Sequence, residues 1–377
     1  MFEWFFNYLA CGPLFGATPF ATSPLDLGFR SIAAGALAMI LVLLGGPAGI
    51  RWLKARFCDP LKSGSAELDR LHRAKNATPT LGGILIVAVV TVIALSLTDF
   101  VNRLVLLALA STVGLALVGV IDDLVKLRTR AAGLGWKAKL LGQCLVAAIP
   151  ASCFFGGWCT PSPMILSPVA SNVLIAMPLV TIPWTMLVIV ATSNAVNLTD
   201  GLDGLAAGCL ALVAAAMGVV AYVGAEGPAR ELVVVTAALV GGLLGFLRFN
   251  RHPAQVFMGN VGSVSLGGLL GFLAVATGTE LLLPLVGAIL VAETASVILQ
   301  VGMFRLKRRR IFLCAPLHHH FEFLGWPEPM IVRRFWVVTA VSATIGVGAA
   351  LGGLATSRPS PAAPSTLVAA GDAALPR

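Results

Sequence analysis

The chain has 377 residues, of which 58% are hydrophobic and 11% charged. A soluble domain carries about 25% charged residues, so a single water-soluble core is excluded and a bilayer is the natural solvent. The formal net charge of +9 would suit a nucleic-acid partner; the basic residues are instead spread by loop, and no nucleic-acid partner is expected.

Residues 1–20 are rich in Trp and Phe and contain no Lys or Arg. They lack the basic start of a signal peptide and read as an interfacial or first-helix segment. A spanning helix needs about 20 apolar residues. Ten stretches qualify, near 28–50, 80–98, 103–121, 137–157, 172–192, 203–225, 231–248, 262–277, 280–303 and 335–354. They predict an all-α integral membrane protein with about ten transmembrane helices. The shortest, 262–277, is rich in glycine. Residues 1–356 form one membrane domain, and the Pro-, Ala- and Ser-rich tail, 357–377, is expected to be disordered. None of the seven cysteines forms a CxxC pair, and most read as small buried hydrophobes.

The loops after the first, third, fifth, seventh and ninth spans hold 21 of the 26 Lys and Arg residues. The other five are Arg30, Arg103, Arg230, Arg358 and Arg377. Basic loops stay in the cytoplasm, so these loops are expected inside and both termini outside. The same loops carry nearly all residues suited to chemistry, which predicts a working face on the cytoplasmic side.

Asp122 and Asp123 follow an apolar run. Paired carboxylates suit Mg2+, which prefers hard oxygen ligands and often bridges to phosphates. The competing reading is an interfacial acidic pair neutralised by Lys126 and Arg128. In the segment NLTDGLDG, a helical turn would put Asp200 and Asp203 on one face beside Asn197. Thr199 or Asp200 could instead cap the span that follows. His318, His319 and His320 are three of five histidines. Consecutive residues do not converge on one metal; one or two imidazoles could hold a phosphate or move a proton, or the loop could simply be solvated. Residues 257–263 form a small-residue turn entering a helix, a place where backbone N–H groups bind phosphate. Glu293 is the one acid well inside a predicted span, where either a functional or an interhelical role fits. This inventory, without a nucleophile–base triad or zinc pattern, suits a Mg2+-dependent reaction of phosphate esters.

The motifs TPTLGG at 78–83, Asp122-Asp123, NLTDGLDGLA at 197–206, and the stretch from Glu293 to Trp326 containing PLHHHFE resemble one family. It is the phospho-N-acetylmuramoyl-pentapeptide transferase branch of the polyprenyl-phosphate N-acetylhexosamine-1-phosphate transferase superfamily. The resemblance runs from about residue 70 to 340. PLHHHFE separates this branch from the GlcNAc-1-phosphate branch.

The resemblance implies ten helices with external termini, a bacterial inner-membrane location, and transfer from UDP-MurNAc-pentapeptide to undecaprenyl phosphate, giving lipid I and UMP. It also implies a homodimer and Mg2+. Asp122 and Asp123 would serve the lipid phosphate and the metal. Lys75, Asp200, Asp203, Asn250 and Phe257 would surround the uridine and diphosphate, with Asn197 beside them. His318, His319 and His320 would contact the sugar-phosphate, with Lys126 and Lys139 nearby. In one place the chain departs from the family: the usual GDxGS is Gly259-Asn260-Val261-Gly262-Ser263 here, so Asn260 would offer the metal a carbonyl in place of a charge. A sister transferase for another UDP-sugar, a transporter or flippase, and a cell-wall scaffold are the competing functions.

Overall fold

The computed structural model describes residues 24–57, 78–99, 102–129, 133–159 and 178–357. The aromatic N-terminal segment, Lys75 and the tail beyond Ser357 lie outside them. The described residues form helices only: α1 (Pro24–Lys54), α2 (Gly83–Leu97), α3 (Arg103–Arg128), α4 (Trp136–Phe155), α5 (Pro178–Thr199), α6 (Leu205–Gly224), α7 (Leu232–Asn250), α8 (Gly259–Ala276), the short α9 (Leu283–Val286), α10 (Ala288–Lys307), α11 (Leu317–Phe323) and α12 (Glu328–Ser357).

Every predicted span has its helix. Nine helices among the described residues are long and apolar enough to cross a membrane. The exception is α2, whose 15 residues reach about 22 Å against a hydrocarbon core of about 30 Å. Its predicted first turn is diverted into backbone pairing with the segment before α8. Gly82 and Gly83 donate to the carbonyls of Phe257 (2.8 Å) and Met258 (2.9 Å), and Phe257 donates to Pro79 (2.9 Å). By contrast, α3 runs seven residues beyond its predicted end at 121, so Asp122 and Asp123 lie within the helix.

The glycine-rich α8 is the centre of the bundle. Every residue from Asn260 to Ala276 is buried, and its principal neighbours are α5 and α3. Backbones must approach closely for one helix to be surrounded in this way, and small residues four apart allow it. A Cβ at Gly267 would meet the Thr192 carbonyl at 2.9 Å, and one at Gly271 would meet Cα of Ile189 at 2.9 Å, both on α5. Around this pair, α1 packs on α7, α6 on α7 and α12, α4 on α5, and α10 on α5 and α12.

A charged clamp helps to tie one end of the bundle. Arg30 on α1 donates to both oxygens of Glu231 (2.9 and 2.8 Å) and to the Leu97 carbonyl (3.1 Å) at the end of α2. Glu231 also accepts from the Asp99 backbone N–H at 3.3 Å. The candidate residues gather at the opposite end, where α3, α5 and α7 finish and α4, α6, α8 and α12 begin.

Replacing Gly271 by Leu is expected to force α5 away from α8. The cost should be about 1–3 kcal/mol, typical of overpacking, measurable as a lower unfolding temperature in detergent; an unchanged temperature would contradict the close crossing.

Candidate active site

Helices α3 and α8 cross so tightly that a Cβ at Gly119 would meet Cα of Val261 at 2.7 Å. One turn further along α3, Asp123 therefore faces the start of α8. It accepts hydrogen bonds from Asn260 Nδ2 (2.8 Å) and the Val261 backbone N–H (3.3 Å). Helix starts favour negative charge, so the carboxylate is well placed. The chain enters α8 through Gly259, whose φ of +70° suits glycine; a Cβ there would sit 2.8 Å from Asp123 Oδ2.

Asp122 is buried beside it and accepts from the Leu134 backbone N–H (2.6 Å). Lys126 Nζ lies 3.7 Å from Asp122 and 3.6 Å from Asp123, while Lys139 Nζ lies 3.2 Å from Asp122. Two carboxylates thus meet two lysines. Lys139 on α4 takes the balancing place proposed for Arg128, which is exposed. Lys139 also donates to Asn197 Oδ1 (2.7 Å) and Asn260 Oδ1 (3.2 Å). Asn197 donates onward to Asn260 Oδ1 (2.7 Å) and Ser263 Oγ (2.8 Å). Asn260 is therefore the bridge: its carbonyl faces a lysine and an amide, and its nitrogen faces a carboxylate.

Residues 200–204 form a turn, not the helical face expected for Asp200 and Asp203. Gly204 precedes α6 with φ +79° and makes no side-chain cap. Thr199 donates to its own helix at Ala195, so the capping alternative fails too. The two acids consequently have different partners. Asp200 lies near Asp123 and Ser263; burial, with Asp123 adding to it, pushes its carboxyl up to about 7 against the pull of Lys126. Asp203 accepts from the Ala254 N–H (3.0 Å) and meets His252 Nδ1 (3.2 Å), and its own N–H donates to Glu328 Oε1 (2.6 Å). His252 Nδ1 is also 3.4 Å from Glu328 Oε2. Between the acids, a Cβ at Gly201 would collide with the imidazole of His318. One short turn therefore touches three groups of candidate residues.

The three histidines share α11 and the rings of His318 and His319 lie 4.2 Å apart, but their Nδ1 atoms meet three different partners. His318 is buried against Glu293. Nδ1 of His319 pairs with Glu322 at 2.6 Å. Nδ1 of His320 accepts from the Leu313 N–H at 3.2 Å, with its ring against Phe312 and Phe321. Asn250 is buried and donates to the Val256 carbonyl (2.9 Å), closing the loop between α7 and α8. Phe257 at the end of that loop is partly exposed.

Sequence reasoning missed His252 and Glu328. The scarcity of histidine was the available signal for the first; nothing local marked the second. With Asp203 they could hold a metal ion by the spacing of their ligand atoms, but their mutual hydrogen bonds already serve to join the 200–204 turn, the α7–α8 loop and α12. Asp122 and Asp123 form a second pair of hard carboxylates, of the kind a divalent cation prefers, at the start of α8. Asn260 would join them only by turning its carbonyl toward Asp123.

The family model of Glycosyl transferase family 4 matches residues 105–278. A curated protein of Desulfosudis oleivorans, named phospho-N-acetylmuramoyl-pentapeptide-transferase, is 44% identical over 334 residues, covering 85% of this chain and 92% of its own length. The chain belongs to the phospho-N-acetylmuramoyl-pentapeptide-transferase family. A relative of the same name from Solidesulfovibrio magneticus is also 44% identical, with the same coverage. Within this transferase, the matched segment 105–278 contains the carboxylate pair, both lysines, Asn197, the 200–204 turn and Asn260. Glu293, His318, His319, His320 and Glu328 come from beyond it.

The folded state holds the Asp200 proton more tightly than an unfolded chain would. Its contribution to stability is fully present below about pH 4 and lost as pH rises through about 7. In the presence of a chelator, the unfolding temperature is expected to fall between pH 5 and 8. Asp200→Asn should flatten that slope; equal slopes for the two proteins would contradict the assignment.

Proposed function

We propose that the protein transfers phospho-MurNAc-pentapeptide from UDP-MurNAc-pentapeptide to undecaprenyl phosphate, producing lipid I and UMP. We place this site at the cytoplasmic face of the bacterial inner membrane, on the asymmetry of Lys and Arg among the loops. The observation that carries the reading is the gathering of Asp122, Asp123, Lys126, Lys139, Asn197, Asn260 and the 200–204 turn at one end of the bundle. A second support is PLHHHFE, folded back onto that turn through His318. A transporter would place its charged sites near the bilayer midplane; here they cluster at a bundle end.

The chemistry is an attack by a lipid-phosphate oxygen on the β-phosphorus of the nucleotide. A new P–O bond forms there, the bond to the α-phosphate oxygen breaks, and UMP departs with the electron pair. A phosphate monoester has its second pKa near 6, so the attacking group is already largely dianionic at neutral pH. No strong base is required, and positioning with charge neutralisation carries the catalysis. Lys126 and Lys139 stand against the two carboxylates and can turn to incoming phosphates. Asn197 and Lys139 hold the amide oxygen of Asn260, and the Val261 N–H at the start of α8 holds Asp123. Asp122 and Asp123, with Asn260, are the residues that would hold Mg2+, which when bound supplies electrophilic charge to the phosphates.

Purified protein given both substrates and Mg2+ should release UMP, and omission of either substrate should abolish release. Absence of UMP from folded protein up to tens of millimolar Mg2+ would overturn the reading, and release with a different UDP-sugar would reassign the substrate. Asn260→Asp is expected to lower the Mg2+ concentration for half-activity, because it adds a charge beside Asp123. A requirement that stayed the same or rose would show that the amide bridge, rather than missing charge, decides metal affinity.

A further inference from the structure

Glu293 sits in α10, a membrane-length helix, and is fully buried. A carboxylate in such a place needs partners. One residue supplies both. The His318 backbone N–H donates to Glu293 Oε1 (3.1 Å), and His318 Nδ1 lies 3.1 Å from Oε2. An ionised carboxylate accepts and does not donate, so with Glu293 in that form the hydrogen belongs on Nδ1. The backbone bond also satisfies an N–H that the first turn of α11 leaves without a helical partner. Two bonds to one carboxylate fix both the place and the rotation of the ring.

The opposite ring nitrogen, Nε2, is buried with no hydrogen-bond partner among the described residues. It lies against Gly201, the residue between Asp200 and Asp203 whose missing Cβ leaves room for the ring. Buried polar atoms without partners are uncommon and call for an explanation. Here the atom belongs to an imidazole held rigidly from behind and aimed at the turn that adjoins Asp123.

We propose that Glu293 is a positioning residue for His318, fixing the Nδ1–H form of the ring so that Nε2 is presented to the nucleotide-sugar at the 200–204 turn. This rests on the transfer reading for its consequence, but not for its geometry. Glu293 itself stays behind the ring and touches no substrate.

The test uses the full-length protein with 15N-labelled histidine and two variants, Glu293→Met, which removes both acceptors, and Glu293→Gln, which keeps volume and one acceptor. The His318 imidazole signal, assigned by its loss in His318→Gln, should report Nδ1–H in the wild type and shift toward the other tautomer or a mixture in Glu293→Met. In UMP release, Glu293→Met should lower kcat at least about tenfold, the scale for partners that orient a functional histidine, with KM for both substrates within about threefold. Glu293→Gln should retain more activity. Glu293→Met combined with His318→Gln should lose no more than His318→Gln alone.

Wild-type kcat in Glu293→Met, or losses that multiply in the double variant, would overturn the proposal. If Glu293→Met does not fold, Glu293→Leu, which also removes both acceptors, decides: a shifted imidazole with slower kcat supports the proposal, and an unchanged spectrum and rate sink it. If the wild type releases no UMP, the transfer reading fails, and the imidazole spectra of wild type and variant still decide whether Glu293 sets the ring.

Discussion

Two carboxylates side by side on one helix, both buried, are the constraint around which the working end of this protein is arranged. Neither Asp122 nor Asp123 can be left without donors in a poorly hydrated setting. The donors come from elsewhere in the chain: Lys139 from α4, Asn260 and the Val261 N–H from α8, Leu134 from the α3–α4 connection. Satisfying the pair therefore sets how far α3, α4 and α8 may slide past one another. Asn197 brings α5 into the same register through its bonds to Asn260 and Ser263. The polar network to which we assign the phosphate chemistry is at the same time the pin that aligns four helices.

The 200–204 turn then distributes this order to the rest of the site. Asp200 faces the carboxylate network, Gly201 gives space to His318, and Asp203 joins the α7–α8 loop to the start of α12 through His252 and Glu328. Had the segment been helical, its two acids would have shared one environment. As a turn ending at a left-handed glycine, it offers each a different one. Partition of this kind suits a reaction with two anionic substrates, each of which needs its own surroundings.

Much of the fold was legible in the sequence because bilayer energetics act on segments, not on pairs. Long apolar runs and uneven Lys and Arg distribution identify spans without any tertiary knowledge, and every predicted span has its helix. Asp122, Asp123, Asn197, Asp200 and Lys139 were likewise nominated in advance and do converge. What failed depended on contacts far apart in sequence. The early start of backbone pairing at Gly82 requires Phe257, the non-helical Asp200–Gly204 segment follows from a backbone conformation at Gly204, and Glu293 could not be separated from a purely interhelical acid until His318 was found beside it, 25 positions on. Hydropathy names the helices, but it does not state which polar groups will meet at their ends.

The crowding around α8 has a consequence for how the protein can change over time. At Gly262, Gly267 and Gly271 every substitution adds atoms, and the neighbouring atoms are largely backbone or tightly seated side chains that cannot step aside. Exposed residues on the spans, such as Ile298 and Val337, are not enclosed in this way among the described residues and can exchange more freely among apolar types. Evolution of this enzyme is thus graded from the outside inward: its perimeter can drift with the membrane around it, while its central helix is nearly frozen, and with it the position of Asn260 at the helix's leading end.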